Sequence, residues 1–314
     1  MKVDIGLLER FEDQLDTSNP TAGEISAKIL GYGEISAIFL LEEMPEVALK
    51  RMPPFSNPAE VERYIGNVQT YCDVLRQELD FNVVENTYFK LENRHQEHIL
   101  YIAQPRLPAE GIGNTLIGSC SPDELEPILN VVVSKLSDIW RWNKKNAPAQ
   151  ILGLDGQISN WCFEANSQGS WDVVYFDNNT PMMRSNGEEL LDPEMFLKSC
   201  PSFLVWLVRW QFLQEVLDRY YDLHLVLTDL VANFHKEGKP DLIPGAIEAI
   251  NQQLESTAAD LAIEPLNQKE VDSYYKNDAF IWWLFLGLRR FDRFLKTKIF
   301  RQKYDFILPG KIKR

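Results

Sequence analysis

The chain has 314 residues, of which 45% are hydrophobic, and a formal net charge of −14 at pH 7. This length and composition allow a sizeable core and exclude disorder as the dominant state. The acidic balance also argues against general binding of nucleic acid, because the phosphate backbone carries the same sign of charge.

The N-terminus predicts a charged amphipathic helix around Ile5, Leu7, Leu8 and Phe11 rather than a signal peptide. The four cysteines lie far apart with no paired spacing. We therefore expect reduced thiols and a cytoplasmic protein.

Short apolar runs up to about Pro105 predict β-strands. The predicted strands are Ile25 to Leu30, Ile35 to Leu41, Val47 to Lys50, Phe81 to Leu91 and Ile99 to Gln104. A helix from about Pro58 to Leu79 interrupts them, because its apolar residues recur at the spacing of one buried helical face.

The rest of the chain is predicted to be mostly helical. Ser121 and Glu124 form a capping box for a helix that reaches about Lys144. The other predicted segments are helices near Glu194 to His235, Pro244 to Leu261 and Val271 to Lys298, and a non-helical segment from Ile151 to Pro181. No apolar run approaches the roughly 20 residues of a membrane span, and tryptophans such as Trp283 are expected in the core.

Two glycines and a lysine form the first candidate group. Gly31 and Gly33 lie between two predicted strands, and the strand that follows ends on Lys50. Glycines let a hairpin backbone approach phosphate oxygens without a Cβ in the way, and a neighbouring lysine can neutralise the phosphate charge. An ordinary hairpin followed by an exposed lysine has the same pattern.

The non-helical segment carries the second candidate group. Asp155 follows an apolar run, Asn160 comes five residues later, and Asp177 ends another apolar run. Phosphoryl transfer uses one carboxylate to deprotonate the attacking hydroxyl, and an amide oxygen with a second carboxylate to hold magnesium on the phosphates. The position of these residues between apolar runs makes the pattern informative, since an Asp-x4-Asn pair alone is common.

The order of these features resembles the protein-kinase-like superfamily, and in particular the aminoglycoside phosphotransferases and choline kinases. The resemblance covers about Ile25 to Pro181. It implies an α+β, bilobal protein-kinase-like fold. Residues 1–105 would form an N-terminal lobe with a small antiparallel sheet and one helix, and residues 106–314 a larger, mostly helical C-terminal lobe.

The resemblance implies ATP and Mg²⁺ as cofactors. Gly31 and Gly33 would cover the phosphates, and Lys50 would contact the α- and β-phosphates while pairing with Glu62, or alternatively Glu60, on the helix.

The same resemblance implies the roles on the catalytic side. Asp155 would be the catalytic base, and Asn160 and Asp177 would be magnesium ligands. Gln104 and Arg106 would lie near the hinge that meets the adenine mainly through backbone groups, so their side chains are uninformative.

Several positions depart from the family pattern. Ser36 lies near the place of a third glycine, Glu34 puts a negative charge close to the phosphates, and Gly153 replaces the usual histidine. Asn178 and Asn179 follow the metal aspartate. We expect these changes to weaken ATP binding and to loosen the support of the catalytic loop.

The C-terminal segment has the opposite charge to the rest of the chain. Residues 289–314 contain ten Lys or Arg against Asp292 and Asp305, a local charge of +8, which leaves about −22 for residues 1–288. Peripheral contact with anionic lipid or with an acidic partner would suit this segment. The simpler expectation is a last helix whose apolar stripe packs on the core and whose charges face water.

Three functions therefore remain open at this stage. The first is an ATP- and magnesium-dependent phosphotransferase acting on a hydroxyl of a small molecule. The second is a pseudokinase or nucleotide-binding interaction module without turnover. The third is a helical scaffold that docks on a membrane through residues 289–314.

Overall fold

The computed structural model describes residues 1–33, 35–167, 170–192, 194–195, 205 and 213–309, which form an α+β fold. The strands are β1 (Ala27–Tyr32), β2 (Ala37–Leu41), β3 (Val47–Arg51), β4 (Thr87–Glu92), β5 (His98–Pro105), β6 (Gln150–Leu152), β7 (Trp161–Ala165), β8 (Trp171–Tyr175), β9 (Met183–Ser185) and β10 (Glu188–Glu189). The helices are α1 (Ile5–Gln14), α2 (Pro58–Leu79), α3 (Gly113–Ser119), α4 (Pro122–Asn146), α5 (Leu213–Asp218), α6 (Leu223–Lys236), α7 (Ile243–Thr257) and α8 (Gln268–Phe294).

The first five strands form one antiparallel sheet in the order β1-β2-β3-β5-β4. Lys50 of β3 pairs with Ile38 of β2 on one side and with Ile102 of β5 on the other. A bulge in β1 brings Gly31 opposite Ile38. Directly paired residues share a face of an antiparallel sheet, so Gly31, Ile38 and Lys50 lie on the same face.

The opposite face of the sheet is covered by α1, which confirms the predicted N-terminal helix. Leu7, Leu8 and Phe11 are buried there. Glu12 is also buried, and it forms a two-pronged ion pair with Arg51 of β3, with both N···O distances at 2.7 Å. Tyr101 donates its hydroxyl to the same carboxylate at 2.7 Å, so the buried charge pair is fully bonded and ties α1 to the sheet.

Helix α2 has the bounds that the sequence predicts, because both ends carry strong signals. Asn57 accepts a hydrogen bond from the N–H of Glu60, Pro58 occupies the first turn, and Asp80 ends the helix in the left-handed region at φ 49°. The apolar face of α2 joins one continuous core with α4, α6 and α7.

The predicted strand from Phe81 to Leu91 is wrong in its first half. The N–H of Phe81 donates to the carbonyl of Leu75 and closes the end of α2. The N–H of Val84 donates to the backbone carbonyl of Tyr175 at 3.0 Å. These residues therefore bridge to β8 instead of joining the sheet, and the ladder of β4 with β5 begins only at Thr87.

The segment from Ile151 to Pro181 is non-helical as predicted, apart from one 3-10 turn at Ile158–Asn160. Strand β6 pairs with β9, and β7 pairs with β8 in an antiparallel hairpin. The segment thus reverses direction between Asp155 and Asp177, which brings the two carboxylates to the same end of the hairpin.

One of the predicted C-terminal helices is interrupted. The predicted helix from Glu194 to His235 contains a break, because the chain turns at Arg219–Tyr221 and Asp222 then caps α6 by accepting from the N–H of Leu225; residues 196–204 and 206–212 lie outside the described part. The capping box of Ser121 and Glu124 at α4 is confirmed.

Helix α8 corrects the expectation that its apolar stripe packs on the core. Trp283 is 68% exposed, whereas Arg289 on the other side of the helix is 2% exposed. Among the described residues, no helix is both long and apolar enough to cross a membrane.

Candidate functional site

Four polar residues that are far apart in the sequence lie together in the structure. Lys50 Nζ donates to Asp177 Oδ1 at 2.8 Å. The N–H of Phe176 donates to the carbonyl oxygen of Asn160 at 3.1 Å, and Asn160 Nδ2 donates to the carbonyl oxygen of Asp155 at 3.3 Å. The lysine pairs directly with the Asp177 carboxylate, and backbone carbonyl oxygens link Asp155, Asn160 and the residue before Asp177, so the four residues belong to one connected group.

The glycine hairpin faces this group. Gly31 shares the sheet face of Lys50, and a Cβ added to it would meet only the Ile38 side chain, at an ordinary 3.6 Å. Gly33 is more constrained: its N–H donates to the carbonyl of Ser36 at 3.0 Å, and an added Cβ would lie 2.6 Å from Ser36 Oγ. Glu34 lies outside the described residues.

The predicted ion pair between Lys50 and the helix is wrong. Glu62 is exposed and accepts from Lys90 of β4 at 2.6 Å. Glu60, the alternative, accepts from the N–H of Ser56 at the start of the helix. The reason is helical phase: the buried face of α2 carries Tyr64 in this turn, and Glu62 lies on the exposed side, while Lys50 pairs with Asp177.

Asp155 is in an unusual electrostatic environment. It keeps some solvent-accessible surface, yet burial of its carboxyl group raises its pKa to about 7, with the nearby charges of Asp229 and Asp177 adding to the increase. A hydrogen bond from the N–H of Gln157, at 3.1 Å, and the charge of Arg219 oppose the shift. A carboxyl with a pKa near neutrality is suited to accept a proton at physiological pH.

Asp229 is a candidate site residue that the sequence reasoning missed. It is 7% exposed on α6 and accepts from Gln157 Nε2 at 3.0 Å, which links it to the loop of Asp155. Burial is also the main reason that the pKa of Asp229 is raised. The missed signal was a carboxylate within an apolar helical run, since such a group is rarely buried without a role.

Asp229 lines a narrow cleft between α6 and α8. Its lining includes Asn233, Lys236, Tyr274 and Tyr275. The cavity holds about 10 Å³, which is the space of a single water. A shallow depression of about 300 Å³ by α1 and the start of β1 shares no residue with this cleft or with the Lys50 group.

Gly153 is required by close packing. A Cβ at this position would lie 2.8 Å from the carbonyl oxygen of Tyr220, a backbone atom that cannot easily move. The carbonyl of Gly153 accepts from the hydroxyl of Tyr71 on α2 at 2.9 Å, and its N–H donates to Met182 at 2.8 Å. Tyr71 and Met182 thus support the loop at the position where the expected histidine is absent.

Asn178 corrects the expectation that the residues after Asp177 loosen the site. Asn178 is fully buried, donates to the carbonyl of Val84 at 2.7 Å and accepts from Asn86, Asn179 and Gln104 at 3.1 to 3.2 Å. A buried amide with these partners holds the backbone in place.

Asn179 and Gln104 complete this support. The carbonyl of Asn179 accepts from the Tyr64 hydroxyl of α2 at 2.6 Å. Gln104 Nε2 donates to the carbonyl of Phe176 at 3.0 Å, so its side chain anchors the residue before Asp177. The backbone N–H of Arg106 donates to the carbonyl of Glu46, and its guanidinium donates to the carbonyl of Pro45, so Arg106 is bonded to the turn between β2 and β3.

The oxygen donors of the group suit magnesium. In the described part of the chain, no three His, Cys, Asp or Glu side chains cluster around a common metal position. Asn160 and Asp177 nevertheless offer an amide oxygen and a carboxylate, and Mg²⁺ is commonly held by one or two such groups together with substrate phosphates. The chemistry of the residues therefore fits a phosphate-bound magnesium ion.

Comparison with known proteins gives a family without an assigned activity. None of the curated proteins compared with the chain matches it. A family model described as "Family of unknown function (DUF6206)" matches residues 11–293, which include β1 to β10 and nearly all of α8. The chain belongs to the DUF6206 family.

Proposed function

We propose that this chain is a phosphotransferase of the protein-kinase-like type, which binds ATP with Mg²⁺ and transfers the γ-phosphate to a hydroxyl of a small molecule. The observation that carries the proposal is the connected group of Lys50, Asn160, Asp155 and Asp177, whose members are separated by up to 127 residues along the chain. Phosphoryl transfer uses these residue types: a lysine for the phosphates, an asparagine and an aspartate for the metal, and a second aspartate for the attacking hydroxyl.

The order of elements supports the same proposal. A glycine hairpin, a strand ending near a lysine, helix α2, strands β4 and β5, and the β6 to β8 segment follow one another as the resemblance implies. The five-stranded sheet would be the small lobe, and α4 with the helices after it the large lobe. Lys50 approaches Asp177 where the two parts meet.

Each residue has a separate task in this mechanism. Lys50 neutralises phosphate charge. When the nucleotide enters, Lys50 releases Asp177 and binds the phosphates instead. Asn160 and Asp177 would hold Mg²⁺, which would supply positive charge to the phosphates. Asp155 accepts the proton of the acceptor hydroxyl, and burial raises its pKa to about 7, which is close to physiological pH.

The acceptor is a small molecule in this proposal, and it reaches Asp155 from the side of Asp229 and the α6–α8 cleft. The volume of that cleft is about 10 Å³, so the cleft must widen before an acceptor fits. Nucleic acid is not a partner of this site because of the negative charge of residues 1–288. We place the protein in the cytoplasm in this proposal, because the cytoplasm supplies ATP.

One observation favours the alternative, a pseudokinase or nucleotide-binding module without turnover. Lys50 pairs with Asp177 at 2.8 Å, and Glu62 of the helix pairs elsewhere. A lysine that lacks its helix carboxylate is less firmly positioned for the phosphates. Nucleotide binding without turnover is the behaviour that this alternative predicts.

Release of phosphate from ATP in the presence of Mg²⁺ separates the two functions. The purified chain is compared with Asp155→Asn, which removes the base, and with Asp172→Asn, which changes an exposed carboxylate on β8 as a matched control. We expect slow hydrolysis in the wild type and the control, and a rate roughly 10² to 10⁴ lower in Asp155→Asn. Choline, aminoglycosides and other cationic alcohols are then screened as acceptors that raise ATP turnover.

A wild type that binds the Mg²⁺ complex of ATP but neither hydrolyses it nor phosphorylates any alcohol in the screen would contradict the phosphotransferase and support the non-catalytic alternative. Equal rates in the wild type and in Asp155→Asn would remove the assigned base. Both outcomes are distinguishable from a folding defect, because the thermal unfolding of each variant is measured in parallel.

A further inference from the structure

Large exposed apolar side chains are concentrated on one part of the surface. Of the twelve described residues of this kind, eight lie between residues 280 and 300. Those on the final turns of α8 are Phe280 (60% exposed), Ile281 (53%), Trp283 (68%), Leu284 (43%), Phe291 (51%) and Phe294 (52%). A contiguous apolar patch on a protein surface marks a site of interaction.

The spacing puts most of these side chains on a single face. Residues 283 and 284 follow residue 280 by three and four positions, residue 291 follows residue 284 by seven, and residue 294 follows residue 291 by three, so the five form one stripe along the helix. We call this stripe the α8 apolar face. The opposite side is buried and carries Arg289 and Asp292, at 2% and 4% exposure. Leu286, at 7% exposure, is buried as well, so this part of the helix buries two charged residues and one leucine while a stripe of large apolar side chains is exposed.

A contact on the buried side joins the helix to the C-terminal segment that follows it. The Arg289 guanidinium lies 5.4 Å from the centre of the Phe306 ring, and at the same distance from that of Phe285 on its own helix. Asp292 pairs with Lys296, four positions further along, at 3.2 Å. The returning C-terminal segment is itself anchored, because Thr17 Oγ1 donates to the carbonyl of Tyr304 at 2.5 Å. The outward direction of the apolar face is therefore built into the fold.

The charge around the face indicates what covers it. Residues 289–314 carry +8 while residues 1–288 carry about −22. Lys298 and Arg301 are exposed next to Ile299 and Phe300, which are 58% and 63% exposed just beyond α8. Exposed aromatic residues flanked by basic residues match a surface that is both apolar and negatively charged.

We propose that the α8 apolar face and the basic residues beside it dock on an anionic lipid membrane, with the aromatic side chains entering the interface and the lysines and arginines meeting the lipid phosphates. The helix lies on the membrane and does not cross it. A second copy of the chain is a poorer occupant, because a symmetric contact would bring two segments of +8 together. This inference does not depend on the proposed phosphotransfer.

Sedimentation of the full chain with vesicles tests the proposal. One set of vesicles is phosphatidylcholine, and the other is phosphatidylcholine mixed with phosphatidylserine. We expect binding to the mixed vesicles alone, and weaker binding as the salt concentration rises, because salt screens the attraction between exposed charges.

Two kinds of variant separate the apolar and the charged contributions. Trp283→Ser with Phe294→Ser removes exposed aromatic residues, and we expect at least a tenfold loss of affinity, since each buried aromatic residue contributes on this scale. Lys298→Gln removes one exposed charge, and we expect about a fivefold loss. Ile5→Ser and Lys28→Gln, which change an exposed apolar and an exposed basic residue elsewhere, are the matched controls.

Several results would overturn the proposal. They are no binding to the mixed vesicles, equal binding to both kinds of vesicle, and unchanged binding by the aromatic double variant. A dimer in analytical ultracentrifugation that dissociates in the aromatic variant, without vesicle binding by the wild type, would assign the face to a second copy. If the double variant does not fold, the vesicle affinity of Lys298→Gln still tests the proposal.

Discussion

Asp155 illustrates, at the scale of a single residue, how a site can reduce stability. Its folded-state pKa of about 7 lies above the unfolded value of 3.8. The folded protein therefore keeps a proton that the unfolded chain releases, and the stability that this proton contributes is complete below about pH 4 and is lost as the pH rises to about 7.

We predict that Asp155→Asn raises the free energy of unfolding at about pH 8 by roughly 1 to 4 kcal/mol, because a neutral amide replaces a carboxylate that is costly to ionise. The amide oxygen can still accept from the N–H of Gln157. Urea unfolding at about pH 5 and pH 8 measures the effect, and the gain should shrink at the lower pH. A variant that is less stable than the wild type at pH 8 would show that Asp155 is not desolvated.

Gly153 provides a second prediction at this scale. The Cβ of Gly153→Ala would lie 2.8 Å from the Tyr220 carbonyl oxygen, so we expect a loss of about 1 to 3 kcal/mol in unfolding free energy. Gly66→Ala on α2, where an added Cβ meets nothing within 4 Å, should be neutral or stabilising by up to about 1 kcal/mol. Denaturant titration of both variants measures the difference, and equal stability would contradict the packing argument.

The candidate site shows which residues could be predicted from sequence. Lys50, Asp155 and Asp177 could be grouped because each follows an apolar run, and Asn160 because it lies five residues after Asp155. Glu62 was assigned wrongly because the choice among neighbouring helix positions depends on helical phase relative to the sheet. Local patterns do not give this phase.

At the scale of whole elements, the strongest prediction concerns α1. Glu12→Ala would leave Arg51 buried at 4% exposure without its carboxylate, so we expect a loss of about 3 to 5 kcal/mol. Glu9→Ala, an exposed position on the same helix, should change stability by less than about 0.5 kcal/mol. The comparison uses urea unfolding, and similar values for the two variants would mean that α1 is not held by this ion pair.

Elements with strong local signals were predicted well, and those shaped by distant contacts were not. Helix α2 has a cap at Asn57, a proline in its first turn and a periodic apolar face, so its bounds follow from local sequence. Residues 81 to 86 are as apolar as a strand, but their partner is β8, which lies about 90 positions further along the chain. Only the tertiary structure gives that pairing.

For the whole molecule, charge and hydrophobicity are distributed in an unusual way. The acidic part contains the connected group around Asp177, and the basic C-terminal segment follows the apolar face of α8. Sequence alone indicates an inward-facing stripe, because aromatic residues at helical spacing are mostly buried. The buried Arg289 and Asp292 reverse that expectation.

The core also joins the two halves of the chain. Residues of α2 belong to the same apolar cluster as those of α4, α6 and α7. A ligand held between Lys50 and Asp177 would therefore touch the sheet and the helical part at once, and its binding would stabilise both.

The most direct test of the account is a calorimetric titration of the chain with ATP, with and without Mg²⁺, together with the same titration of Asp177→Ala and of Asp172→Ala as the control. We predict binding that requires Mg²⁺ in the wild type and the control, and at least a tenfold loss of affinity in Asp177→Ala, because the variant lacks the carboxylate that we propose as the metal ligand. No heat of binding under any condition, or binding by Asp177→Ala as tight as that of the wild type, would contradict the account.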